Sequence, residues 1–379
     1  MKLRYKIVGG LLAVVVLCLA SLAVILSRND ACAPTPELSE QTTPMQAIVH
    51  RCYGSPDVLA LEDIAKPVPA DNEVLVKIHA AAVNPLDWHY LRGSPYLMRL
   101  ESGLGTPEDV RMGVDFAGTV EAVGKEVERF EPGDAVFGGR SGAFAEYVTV
   151  REDGAVVLKP DNLTFEQAAA VPIAAITALQ AIRDKGKVQA GQKVLINGAS
   201  GGVGTFAVQI AKSYGADVTG VCSTRNVEMV QSIGADRVID YTRENYTEGE
   251  QVYDVIIDMV GNHSLSANRR VLQSDGVLVI VGGPKGNWFA PFANPLKALI
   301  LSRFVDQELV MLLASLKQDD LRVLGELMQA GEVTPVIDRR YTLSEVPDAV
   351  RYSESGRARG KIVINVQPGP QSDPQSEEV

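Results

Sequence analysis

The sequence predicts an α/β protein in which a β-rich, barrel-like module accompanies a doubly wound parallel sheet, with an apolar helix of membrane length ahead of both. Three observations predict it. Residues 45–170 carry β-branched runs broken by turn residues, residues from 171 onward alternate strands with helices, and residues 7–27 carry no charge. A chain of 379 residues with 46% hydrophobic content suits two globular domains and excludes a disordered chain. The net charge of −11 argues against a nucleic-acid partner, which would need clustered Lys and Arg. Four cysteines without a CxxC pair exclude a disulfide scaffold and a four-thiolate zinc site.

Residues 7–27 (IVGGLLAVVVLCLASLAVILS) would rise roughly 31 Å as a helix, matching the hydrocarbon core of a bilayer. The length favours a single-pass N-terminal anchor over residues 1–27, with the lipid bilayer as partner. A cleaved signal peptide is the alternative: Ala31-Cys32-Ala33 has the small-x-small form, but cleavage there would leave Pro34 at the new terminus. Lys2, Arg4 and Lys6 precede the run and Arg28 follows it, so the positive-inside rule places the body outside the cytoplasm, where soluble NADPH is expected to be scarce. The side on which the body lies therefore stays open. Residues 28–44 read as a flexible linker and 368–379 as a disordered tail, because both are polar and rich in proline.

Within the body, MQAIVHRC, EVLVKIHAAAV and GTVEAVG read as strands of the first module. From residue 171, KVLINGA, DVTGVCS, YDVIIDMV and GVLVIVGG read as strands separated by helical stretches. The last apolar run, KIVINV, is expected to pair back into the first module, giving domains over 45–170 with 306–367 and over 171–305.

The strongest motif is Asn197-Gly198-Ala199-Ser200-Gly201-Gly202-Val203-Gly204, which follows a strand and opens a helix. Glycines 198, 201 and 204 allow a tight turn, approach of backbone N–H groups to a pyrophosphate, and close packing of helix on sheet, as in a Rossmann dinucleotide site. Ser200, Gly202 and Val203 belong to the same turn. The second strand ends Ser223-Thr224-Arg225 with no acid for a ribose 2′-hydroxyl, so NADP is favoured over NAD. The bland alternative makes Ser223 and Thr224 a helix cap and Arg225 a solvated charge.

ASGGVG after a strand, AAAVNPLDWHYLRG, GVDFAGTVEAVG and the closing GRARGKIVI, in that order, resemble the medium-chain dehydrogenase/reductase superfamily in its zinc-free quinone oxidoreductase-like branch. The resemblance implies a GroES-like substrate domain built from both ends of the body, a Rossmann domain inserted between them, and a homodimer. Zinc-dependent members carry a Cys before the segment matching Asn84-Pro85-Leu86-Asp87, a His-Glu pair at Val114-Asp115 and a four-Cys lobe. None of these is present, so no zinc is expected. His89 lies near the site segment, but one His without convergent Cys or carboxylate ligands makes a poor catalytic zinc site, and His50, His79 and His263 read as structural.

The resemblance also implies site positions. Asn84 and Tyr90 lie in the substrate-lining segment and are candidate donors to a substrate oxygen; the alternative is a turn residue and ordinary packing. Asp87 reads as fixing that loop. Thr177 is expected near the nicotinamide and Tyr241 near the adenosine phosphate, while Val260, Gly261, Gly282 and Gly283 end strands that face the ligand crevice. Without a Lewis acid, hydride addition from NADPH to a quinone or an α,β-unsaturated carbonyl is the easiest chemistry, since the charge delocalises onto the carbonyl oxygen. The alternatives are a zinc-free alcohol or aldehyde oxidoreductase, or a membrane-tethered NADP-binding sensor or trafficking protein with little turnover.

Overall fold

The computed structural model describes residues 2–284, 286–288 and 290–367, with the side chains of 2–12, 290–292 and 295 also set aside. The expected tail at 368–379 lies outside the described residues. The core of the body is a six-stranded, all-parallel sheet whose strands, numbered along the chain, run in the spatial order 3-2-1-4-5-6. They are Lys193–Asn197, Asp217–Cys222, Arg237–Asp240, Tyr253–Asp258, Leu272–Ile280 and Glu308–Met311. Strands covered by helices on both faces must be apolar throughout, and Val194, Leu195 and Ile196 are indeed all fully buried. The sixth strand corrects the domain boundary expected at 305: Glu308–Met311 pairs with Val277–Ile280, so the parallel sheet extends to Met311.

The β-rich module is a seven-stranded sheet beside a hairpin of Pro44–His50 and Leu59–Ala65. Strand Glu73–Val83 is its hub, bonded to Asp115–Val123, Tyr147–Arg151 and the closing strand Lys361–Asn365. The chain end therefore completes the first module, and Gly360 also bridges to Gly201 in the parallel-sheet domain.

Residues Lys2–Ser27 form one helix. Among the described residues no helix is long and apolar enough to cross a membrane, so the membrane-spanning expectation finds no support in the structure.

The linker expectation over 28–44 needs correcting at its first half. Cys32 is disulfide-bonded to Cys52, Ala33 N–H donates to Arg51 O at 3.3 Å, and Asp30 N–H donates to Gly105 O at 3.0 Å. Arg99, only 1% exposed, donates to the carbonyls of Leu26 (3.0 Å), Arg28 (2.7 Å) and Gly93 (2.8 Å). A guanidinium has five donors in a fixed fork, which suits it to hold the unpaired carbonyls of a helix end. The segment lacks regular structure but is clamped, and a cysteine assigned to a free tether is in fact half of a cross-link.

Candidate functional site

The site forms where the parallel strands end and the β-rich module meets them. The turn after strand Lys193–Asn197 is closed by Gly201 N–H on Gly198 O at 3.1 Å, and by Gly198 and Ala199 N–H on Val221 O. Its glycines serve three separate ends. Gly198 has φ +92°, open mainly to glycine; a Cβ on Gly204 would lie 2.1 Å from Gly198 O; a Cβ on Gly201 would meet only Gly198 O, at 3.5 Å, and so project into open space at the turn. Helix Gly202–Ser213 starts there without a side-chain cap, and the first N–H groups of a helix have no partner within it, the setting in which an anion is stabilised.

At the next strand end, Asn197 Nδ2 donates to Asp258 Oδ1 and Asn262 Oδ1, both at 2.8 Å, and Asp258 Oδ1 accepts the N–H groups of Val260 and Gly261. This clip holds the first and fourth strands together at the switch point of the sheet. A Cβ on Gly282 would lie 2.0 Å from Met259 O, so the fifth strand end can approach only as glycine, with Gly283 exposed beyond it. Val260 is 42% and Tyr241 60% exposed along this rim.

At the expected 2′-phosphate edge, Ser223 occupies the N-cap position of the turn Thr224–Asn226, as the capping alternative has it, but makes no side-chain cap bond. Thr224 Oγ1 donates to Asp240 Oδ2 at 2.6 Å, and Arg225 Nη2 donates to Arg357 O at 2.7 Å. Parallel pairing of Asp240 with Cys222 brings that acid beside the second strand, which spacing along the chain conceals. Asn226, absent from the expected residues, is 4% exposed; its Nδ2 donates to Ser200 Oγ at 2.9 Å while its buried Oδ1 has no hydrogen-bond partner among the described residues. An orphaned acceptor beside an open glycine turn fits a bound dinucleotide.

On the substrate side, helix Pro85–Arg92 is capped by a reciprocal pair: Asn84 is the N-cap, Asp87 Oδ2 accepts Asn84 N–H at 2.7 Å, and Gly93 ends the helix in the left-handed region. Tyr90 is 37% exposed, whereas Asn84 is 2% exposed. The donor role expected of Asn84 meets a physical obstacle: its Nδ2 is already given to Asp115 Oδ2 (2.9 Å) and its Oδ1 accepts from Lys361 Nζ (2.6 Å). Thr177 Oγ1 donates to Ile173 O at 2.6 Å. His89 Nδ1 lies 2.6 Å from Ser94 O, and His50 is a buried core histidine held down to about 4 by desolvation.

Burial pushes Asp87 up to about 7, with the Asn84 N–H opposing and neighbouring Asp115 reinforcing. The folded state thus holds a proton that the unfolded chain, near 3.8, releases. Stability from this group is full below pH 3.8 and is lost as pH rises to about 7. Asp87→Asn keeps an acceptor for Asn84 N–H and removes the loss. Thermal unfolding should show a higher Tm than wild type at pH 8 and a smaller gain at pH 5; an equal or lower Tm at pH 8 would contradict the burial argument.

Asp115 is fully buried; burial raises its pKa against the opposing pull of Lys361, the Asn84 amide and the Ile173 N–H. With an ammonium 3.3 Å from its carboxylate, this cluster would repel a dication, so the donor set does not fit zinc. Among the described residues no group of three His, Cys, Asp or Glu side chains could hold a metal ion.

Residues 70–161 match the alcohol dehydrogenase GroES-like domain, and residues 233–364 match the zinc-binding dehydrogenase family. The chain is 36% identical over 336 residues to a quinone oxidoreductase of Sus scrofa, covering 84% of this chain and 97% of the relative. It is 33% identical to the chloroplastic NADPH-dependent alkenal/one oxidoreductase of Arabidopsis thaliana, covering 90% and 86%. Among solved structures, the quinone oxidoreductase from Coxiella burnetii superposes with a TM-score of 0.76 at 31% identity, covering 86% of this chain and all of that one. With this fold, this glycine turn and these relatives, the chain belongs to the medium-chain dehydrogenase/reductase superfamily, in its quinone oxidoreductase-like branch, and is a nicotinamide-dependent reductase.

Proposed function

We propose that the protein transfers hydride from NADPH to a quinone or an α,β-unsaturated carbonyl without a metal ion. The observation that supports the reading is the Asp115–Lys361–Asn84 cluster near the dinucleotide turn, whose buried ammonium would repel a dication. The names of relatives, quinone oxidoreductase and alkenal/one oxidoreductase, support the substrate class. Arg225, beside Ser223 at the end of the second strand, supports NADPH over NADH. When bound, the cofactor supplies the hydride. The chain's own part is to seat the phosphates on the turn 198–204, to hold the substrate loop through the capped helix Pro85–Arg92, and to offer the Tyr90 hydroxyl to the substrate oxygen.

Tyr90→Phe is expected to lower kcat about tenfold or more against a panel of quinones and enones while leaving the NADPH Kd within about threefold. Unchanged kcat would remove Tyr90 from the mechanism. NADPH binding by the wild type without turnover of any panel member would overturn the reductase reading.

The N-terminal helix is read as a membrane attachment on the strength of its uncharged run and the exposure of Val15 (51%) and Leu19 (61%). The double variant Val15→Arg/Leu19→Arg leaves the body untouched. It should move the protein from the membrane to the soluble fraction, and a soluble wild type would end this reading.

A further inference from the structure

The closing strand touches both halves of the site within two residues. Gly360 N–H donates to Ser200 O at 2.9 Å inside the dinucleotide turn, and Gly360 pairs with Gly201. The next side chain, Lys361, is 2% exposed; its Cδ would be 3.2 Å from a Cβ on Gly202, and its Nζ donates to Asn84 Oδ1 and sits 3.3 Å from Asp115 Oδ2. Asp115 in turn accepts Ile173 N–H at 3.0 Å, at the start of helix Pro172–Leu179, which carries Thr177.

One buried network therefore contacts the turn for the phosphates, the helix beside the nicotinamide position and the cap of the substrate helix. An isolated ammonium would never be buried this deeply, and it is stable here only because Asp115 and Asn84 satisfy it. Burial of that kind makes the three segments move together: displacing Lys361 breaks its bond to Asn84, and the Asn84 N-cap sets where Tyr90 points. A hydrophobic residue would fill the volume without linking the segments.

We propose that Lys361, with Asp115, is a positioning pair that transmits cofactor seating at the glycine turn to the substrate helix Pro85–Arg92. The proposal deepens the hydride-transfer reading and rests on it for its kinetic arm. Lys361 is assigned a positioning role that acts through Asn84. Two consequences separate coupling from mere support. NADPH should order the substrate helix as well as the turn, and that ordering should need the pair.

Lys361→Met alone strands a buried carboxylate and can fail to fold, so the decisive protein is the neutral double variant Lys361→Met/Asp115→Asn, with Lys361→Arg as the charge-conserving control. Hydrogen exchange is followed with and without saturating NADPH. In wild type, NADPH should slow exchange at residues 84–92 as well as at 198–204. In the double variant protection should stay at 198–204 and vanish at 84–92, with NADPH Kd within about threefold and kcat down about tenfold or more. Lys361→Arg should restore most of the protection at 84–92. The proposal is overturned if the double variant protects 84–92 as wild type does, whatever its kcat. A wild type that shows the spread of protection but no turnover of quinones or enones would sink the reaction assignment and leave the coupling standing.

Discussion

Gly204→Ala is expected to abolish useful nicotinamide binding, raising the NADPH Kd about a hundredfold or more, equivalent to about 2.7 kcal/mol. The added Cβ would stand 2.1 Å from Gly198 O and 2.8 Å from the Ala199 backbone, and neither neighbour is a side chain that can rotate away. The turn must open or the helix Gly202–Ser213 must back off the sheet, and either displaces the N–H groups that would receive the pyrophosphate. Phe206, Ala207 and Ile210 on that helix are fully buried, so a lower Tm accompanies the lost binding. Gly201→Ala supplies the contrast: its Cβ meets only Gly198 O, at 3.5 Å, so the Tm should hold while NADPH binding weakens. Fluorescence titration of NADPH beside thermal unfolding reads both. Equal Tm values for the two variants would show that the helix is not packed against the turn as described.

Arg225→Glu is expected to weaken NADPH binding by about 30–100-fold, or about 2–3 kcal/mol, with under a threefold change for NADH. The guanidinium is held by its bond to Arg357 O, so under the proposed NADPH reading it is placed before any phosphate arrives. A carboxylate there adds repulsion to a second acid, Asp240, already bonded by Thr224. Parallel losses for the two cofactors would assign Arg225 to the fold rather than to the 2′-phosphate.

What could be read from the sequence was local. Strand Glu73–Val83 coincides with the run EVLVKIHAAAV because a strand's apolar pattern is written in consecutive residues, and the glycine turn is legible because steric demands act within seven positions. Lys361 was illegible for the opposite reason: its partner Asp115 lies 246 residues away, and nothing near a lysine in GRARGKIVI announces burial. Asn84 was expected in the substrate-lining segment from the resemblance, but the engagement of both its carboxamide atoms depends on that same distant pairing. The Cys32–Cys52 bond escaped because a polar, proline-containing stretch reads as free whether or not its cysteine is tied down. Asp240 reached Thr224 through strand adjacency in the sheet, and Glu308–Met311 joined the parallel sheet as a short edge strand with only four residues of pattern.

The position of strand Lys361–Asn365, between Ile337–Thr342 and the hub strand Glu73–Val83, imposes an order on biosynthesis. The dinucleotide turn leaves the ribosome more than 150 residues before the segment that bridges it to the other domain, as the Gly201–Gly360 pair requires. A nascent chain can form its parallel sheet early, yet the two halves of the site are joined only when the final residues of the body emerge. A chain cut short at about residue 355 would retain the glycine turn and still be unable to place Asn84. Premature termination should therefore yield an incomplete sheet with an exposed hub edge, a target for proteolysis rather than a slow enzyme.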